Sequence, residues 1–186
     1  MSVIPDTAPV IRLATVADAR MLSAFADDVF RDAFGKDNNP ADLEMYMASA
    51  FSPEQQAAEI ADPNSTILLA ECVDAEGAAR LAGYAHLVQG DTPAIIQGAA
   101  PIELKRFYVA RSWHGRGVAQ TLMEAVLATA RSLHARTLWL GVWERNPRAI
   151  AFYEKYGFLR VGEHEFMLGR DRQTDWLMAL DLEAEL

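Results

Sequence analysis

Residues 103–131 read ELKRFYVARSWHGRGVAQTLMEAVLATAR. A strand (Leu104 to Val109) runs into a short loop with two glycines (His114 to Gly117), and a long amphipathic helix follows. The first N–H groups of a helix lack intrahelical partners and carry the positive end of its dipole. Gly115 and Gly117 let the backbone approach an anion closely and accept positive φ. Together these features predict a phosphate cradle built from main chain. No Lys-Ser or Lys-Thr pair follows Gly117, so this is not a Walker loop, and Ala119 stands where a dinucleotide fingerprint needs a third glycine. Taken alone, the loop also reads as an ordinary strand-to-helix turn.

A second stretch sharpens the reading. Residues 138–158 are LWLGVWERNPRAIAFYEKYGF. A short apolar strand (Thr137 to Val142) precedes Asn146, Pro147 and a helix that ends before Gly157. Asn is a good N-cap, Pro suits the first helical position and Gly terminates helices. Asn146 and Tyr153 lie about two turns apart, on one helix face.

The loop resembles the pyrophosphate-binding motif of the GNAT N-acetyltransferases: Gln or Arg, two residues, Gly, one residue, Gly or Ala. His114, Gly115, Arg116, Gly117, Val118 and Ala119 fill it here, with His114 in the place of Gln or Arg. The series strand, Asn146, helix, Tyr153, Gly157-Phe158 also resembles that family. The C-terminal residues Gly162, His164, Phe166, Gly169, Asp171, Gln173, Thr174, Asp175 and Met178 are similar to the PaiA-type branch, which is associated with spermidine and spermine. The resemblance covers the chain from about Val10.

The resemblance implies one GNAT domain over residues 1–186. Its fold would be α/β, with a central mixed, mostly antiparallel seven-stranded sheet splayed between strands four and five and flanked by about four helices. It implies acetyl-CoA as cosubstrate, entering that V-shaped gap. Asn146 would hold the pantetheine arm, the Tyr153 hydroxyl would lie by the sulfur, and backbone amides of Phe107, Tyr108 and Val109 would bind the acetyl carbonyl. Glu103 would act as a general base through water. The bland alternatives are that Tyr153 is a core aromatic, that Asn146 is only a cap, a role compatible with holding cofactor, and that Glu103 is a solvent-facing strand residue.

Composition bounds the function. The chain has 186 residues, 51% of them apolar, which suits a single packed domain. No window approaches eighteen uninterrupted apolar residues, and the N-terminal MSVIPDTAPV lacks the basic flank of a signal peptide, so neither a membrane span nor a secretory leader is expected. One cysteine, Cys72, precludes an intramolecular disulfide and agrees with a cytoplasmic location. The net charge is −9. Up to Cys72 there are twelve acidic and four basic residues, against fourteen and thirteen thereafter. Nucleic-acid binding is disfavoured and a cationic small-molecule acceptor favoured. Asp27, Asp28, Asp32, Asp37, Asp42 and Glu44 also read as a simple solubilising face.

Elements follow from periodicity. Thr15 and Asp18 form a capping-box variant ahead of a helix carrying Ala19, Leu22, Phe25, Ala26, Val29 and Phe30 on one face. Further helical segments cover Ala41 to Ala50 and start at Ser52-Pro53. Strands Thr66–Val73 and Arg80–Val88 flank DAEG, Gly90–Pro101 reads as an irregular flap, and Leu159–Glu163 and Asp175–Leu182 supply the last strands.

No Ser-His-Asp or Cys-His arrangement and no zinc spacing among His86, His114, His134 and His164 appears, so direct attack in a ternary complex without metal is expected. The expected activity is N-acetylation of a primary amine, with a polyamine leading. Peptide or amino-sugar acceptors, or a non-catalytic acyl-CoA-binding module, are the rivals. A homodimer is compatible with this reading.

Overall fold

The computed structural model describes residues 8–184; the leader reading concerns mainly residues 1–7, which lie outside them. Seven strands form one sheet: β1 (Val10–Leu13), β2 (Ser65–Val73), β3 (Ala79–Val88), β4 (Pro101–Val109), β5 (Thr137–Trp143), β6 (Leu159–Leu168) and β7 (Asp171–Asp181). Their order is β1-β2-β3-β4-β5-β7-β6. Every junction is antiparallel except β4–β5, which is parallel. Among the described residues five helices flank the sheet, each at a segment read as helical from the sequence: α1 (Ala19–Phe34), α2 (Pro40–Ala50), α3 (Pro53–Ala61), α4 (Val118–Ser132) and α5 (Pro147–Lys155).

Local chemistry sets the helix starts. Asn39, Ser52 and Asn146 each accept a backbone N–H with the side chain, and each is followed by proline at the first helical position. The Asp18 carboxylate accepts from the Thr15 N–H at 2.7 Å, just before α1.

Apolar stripes then assign each helix to a face. Val118, Leu122 and Val126 of α4 pack with Leu68, Leu104, Leu138 and Met178, and Ile150 and Tyr153 of α5 join them. Leu22, Ala26 and Phe30 of α1, with Leu43 and Met47 of α2, cover Ile67, Leu69 and Tyr84 on the opposite face. Leu122→Ala in this packing would cost about 2–5 kcal/mol.

Three differences from the sequence reading matter. β6 and β7 are much longer than expected, because β6 is an edge strand largely exposed along its length, which hides the period-two signal. The segment 90–100 is pinned rather than a loose flap: Ile96 is buried against Trp139 and Leu177. Finally, α3 is tied to β4 by buried charge. Arg106 donates to Glu59 through both guanidinium nitrogens, and Lys105 Nζ lies 3.1 Å from Glu59 Oε1. Arg106 also stacks 5.1 Å above the Phe51 ring. Burial pushes the Glu59 carboxyl up, but the charges of Arg106 and Lys105 and the hydrogen bonds from Arg106 outweigh it and hold Glu59 below the usual range.

Candidate active site

β4 and β5 pair only at Pro101–Thr137, Ile102–Leu138 and Glu103–Trp139. On the other side of β4, Leu104 opposes Leu87 and Arg106 opposes His86, so Lys105 is an extra residue and β4 carries a bulge. A bulge bends its strand and increases local twist. Beyond it, Phe107 to Val109 keep their partners on β3 but have none on β5. The result is a wedge between the two strands, its edges made of unpaired backbone groups.

The loop after β4 opens on this wedge. Gly115 and Gly117 have φ of 76° and 79°, and nothing lies within 4 Å of where a Cβ would stand on either. Among the described residues, no backbone N–H from Gly115 through Gln120 donates within the protein, while Thr121 is the first to do so, to Gly117 O at 3.0 Å. Six consecutive donors at a helix start form an anion receptor. The Arg116 guanidinium lies 5.1 Å over the Trp113 ring, beside them. His114 does something else: its Nε2 lies 2.9 Å from Val109 O, so the ring donates back to the end of β4 and braces the loop.

On the α4–α5 face, Tyr153 lies under the wedge. Its ring is 6.4 Å from Phe107 of β4 and 5.6 Å from Phe158. The residue is 8% exposed, and burial raises its hydroxyl well above the usual tyrosine range. That hydroxyl makes no hydrogen bond to any described residue and stays protonated at neutral pH. Asn146 Oδ1 accepts from Ala149 N at 3.1 Å, which leaves the amide NH2 free.

The opposite face of the wedge holds two carboxyl groups. Glu103 alternates with the core residues Ile102 and Leu104 and so points to the α1–α3 side. Burial raises its carboxyl, opposed by Lys105 and Arg106. Asp175 of β7 pairs with Trp143 of β5. Burial, with the charge of Glu144, pushes its carboxyl up to about 6. Its only ionic partner among the described residues is His164, at 3.9 Å. Phe34 of α1 bridges the wedge, 6.5 Å from Tyr108 of β4 and 6.0 Å from Trp143 of β5.

Comparison with known proteins identifies this arrangement. The family model described as "Acetyltransferase (GNAT) family" matches residues 28–158. The chain belongs to the GNAT family of acetyltransferases. It is 36% identical to the "Uncharacterized N-acetyltransferase in pepI 3'region" of Lactobacillus delbrueckii subsp. lactis, over 83% of this chain and 87% of that protein. A shorter match, 28% identical over 34% of this chain and 42% of the relative, is to the spermine/spermidine N(1)-acetyltransferase of Bacillus subtilis. Among solved structures, the PaiA N-acetyltransferase of Thermoplasma acidophilum in complex with coenzyme A shares the fold with a TM-score of 0.73 at 18% identity, over 94% of this chain and 99% of that one.

In this GNAT enzyme the expected site residues divide by location. The structure brings together the loop from Gly115 to Ala119, the backbone of Phe107 to Val109, Asn146 and Tyr153 around one wedge. The Tyr108 side chain points away, stacked 5.7 Å from Tyr84 in the other core, so only its main chain faces the gap. Glu103 sits at the vertex, at the last paired position. The acidic cluster is dispersed, and Asp32 alone of it lies by the end of β4, 3.9 Å from Arg111. Asp27 and Asp28 line a groove between α1 and α2, Asp27 and Glu44 pair with Arg31, and Asp42 accepts from Arg170 N at 2.9 Å. Phe34 and Asp175, which the structure places beside the wedge, were not among the residues expected there. The only signal for Asp175 was its place in the C-terminal pattern. Among the described residues no group of His, Cys, Asp and Glu is arranged to hold a metal ion, and no helix is long and apolar enough to cross a membrane.

Proposed function

We propose that this GNAT enzyme transfers an acetyl group from acetyl-CoA to a small primary amine, with a polyamine such as spermidine as leading acceptor, by direct attack in a ternary complex. The observation that carries this reading is the run of six unpaired N–H groups opening on the β4–β5 wedge, with the Tyr153 hydroxyl beneath it.

The amides of Gly115 to Gln120 hold the pyrophosphate, and the free Asn146 amide reaches the pantetheine arm. Main-chain N–H groups on the open edge of Phe107–Val109 stabilise the carbonyl oxygen as negative charge develops. The amine lone pair forms the C–N bond and the C–S bond breaks. Tyr153 gives its proton to the departing sulfur and recovers one from solvent. Glu103, at the vertex, draws the proton of the acceptor through a chain of waters along the wedge.

A small acceptor is favoured by the roof of the site. The β6–β7 turn is fastened to the α1–α2 connection by Gln173–Asn38 and by Arg170 N to Asp42 Oδ1, which narrows the path a peptide would need. The partial likeness to the Bacillus subtilis spermine/spermidine enzyme supports a polyamine. Mass spectrometry of pure protein incubated with acetyl-CoA and a panel of amines tests the proposal. Acetylated spermidine is expected. Acetylation of an uncharged amine or a peptide but not of spermidine would overturn the polyamine assignment, and no product with any amine would overturn the reaction.

A further inference from the structure

Strand register locates the reacting carbon, and it lies far from Glu103. Glu103 opposes Trp139, and Trp143 is four residues further along β5. At about 3.3 Å per residue this is roughly 13 Å. Phe107 is four residues beyond Glu103, one of them taken up by the bulge, so Phe107 and Tyr108 stand level with Val142 and Trp143. Trp143 in turn pairs with Asp175. The carboxylate level with the backbone proposed to hold the acetyl carbonyl is therefore Asp175.

Its surroundings do not account for it structurally. The Asp175 side chain is 14% exposed, and it accepts no hydrogen bond from any described residue. Its neighbour His164 is 3.9 Å away, too far for a hydrogen bond, and burial lowers the imidazole, which leaves it neutral near pH 7. The other titratable groups acting on it are Glu144, at the end of β5, and Tyr46 of α2, and neither is cationic. A largely desolvated carboxylate without a cation costs free energy that a ligand ammonium would recover.

Access is built into β5. Gly141 is exposed while Leu140 and Val142 beside it are buried. A Cβ there would stand 3.2 Å from His164 Nε2 and 3.4 Å from Asp175 Oδ2. The missing side chain leaves an opening at the carboxylate. Phe34 and Trp143, 6.0 Å apart, form an aromatic wall beside this end of β5, suited to a cation because ring faces attract positive charge.

We infer, resting on the acetyltransferase reading above, that Asp175 is the specificity-determining residue that holds the acceptor's ammonium group at the mouth formed by Gly141.

Steady-state kinetics with spermidine, and calorimetric titration of spermidine into the protein–coenzyme A complex, test this. Asp175→Asn should raise the spermidine KM and Kd at least about tenfold. Coenzyme A affinity should stay within about twofold and kcat within about threefold. Asp175→Glu, which restores the charge, should recover part of the affinity. Gly141→Val leaves the charge in place but fills the opening, and should also raise spermidine KM while sparing coenzyme A. It decides the matter if Asp175→Asn fails to bind coenzyme A. Spermidine KM and Kd within about twofold of wild type in Asp175→Asn, or no recovery in Asp175→Glu, would overturn the assignment. The two readings fail separately. Product formed with spermidine but indifferent to Asp175 removes the anchor and keeps the reaction. Spermidine binding that depends on Asp175 without product from any amine does the reverse.

Discussion

Tyr153→Phe deletes one hydroxyl and keeps the ring. Phe107, Phe152 and Phe158 all contact that ring, at centroid distances of 6.4, 5.7 and 5.6 Å. The hydroxyl donates to no described residue, so its loss orphans no partner, and the expected stability change is below about 1 kcal/mol. For a chain of this size that is a melting shift of no more than about 2–4 °C. Tyr153→Ala removes the ring as well and should cost about 3–5 kcal/mol, which serves as the control for a packing role. Catalysis should separate from stability in the Phe variant. A general acid contributes about 10²–10⁴-fold, and the lower bound corresponds to about 2.7 kcal/mol of transition-state stabilisation. Single-turnover release of coenzyme A, followed with a thiol reagent, reads the chemical step, and titration of acetyl-CoA reads binding. The expected result is a fall of at least about 10²-fold in the chemical rate with acetyl-CoA affinity nearly unchanged. A rate within about threefold of wild type, measured where chemistry limits turnover, would refute the proton-donor role.

The loop is tested by Gly117→Asp, which places an anion where six N–H groups converge and costs about 1–2 kcal/mol at a φ of 79°. Acetyl-CoA at 100 times its Kd should stabilise the wild type by about 2.7 kcal/mol and the variant not at all, and equal melting shifts in both would contradict the cradle. Glu59→Gln strands Arg106 in the core and should cost about 3–5 kcal/mol in a urea titration; a loss below about 1 kcal/mol would show that the α3–β4 tie matters little. His86, 1% exposed, is pushed by burial from its ordinary 6.5 down to about 3. The unfolded chain therefore binds more protons there below pH 6.5, and stability falls as the pH drops, by about 2–3 kcal/mol between pH 6.5 and 4.5. Asp175, shifted upward, acts in the opposite sense over much of this window but is common to both proteins, so the stability of His86→Gln relative to wild type should rise by that amount on acidification. A difference independent of pH would mean that His86 is already protonated in the folded state.

Much of this protein is local and so legible in the chain. The cap at Asn146, the helix start at Ser52-Pro53, the glycines at 115 and 117 and the period of α1 and α4 act within a few residues, and each appears where the sequence reading expected it; the Asn39 cap is equally local, although that helix was expected to start at Ala41. The unpaired N–H groups of residues 115–120 belong to this class, because a glycine loop entering a helix leaves them without partners. What tertiary structure decided is the relation between strands. The bulge at Lys105 is visible only from its partner β3, and it sets where β4 leaves β5 and how deep the wedge runs. Register alone makes Asp175 level with Tyr108, since residues about seventy positions apart acquire a common height only when β5 pairs with both neighbours. The same limit explains the acidic N-terminal third. Its charge is plain from composition, but folding disperses those side chains among Arg31, Arg111, the β6–β7 turn and a groove between α1 and α2, while Glu103 and Asp175 of the wedge lie outside that third and no count of acids could single them out.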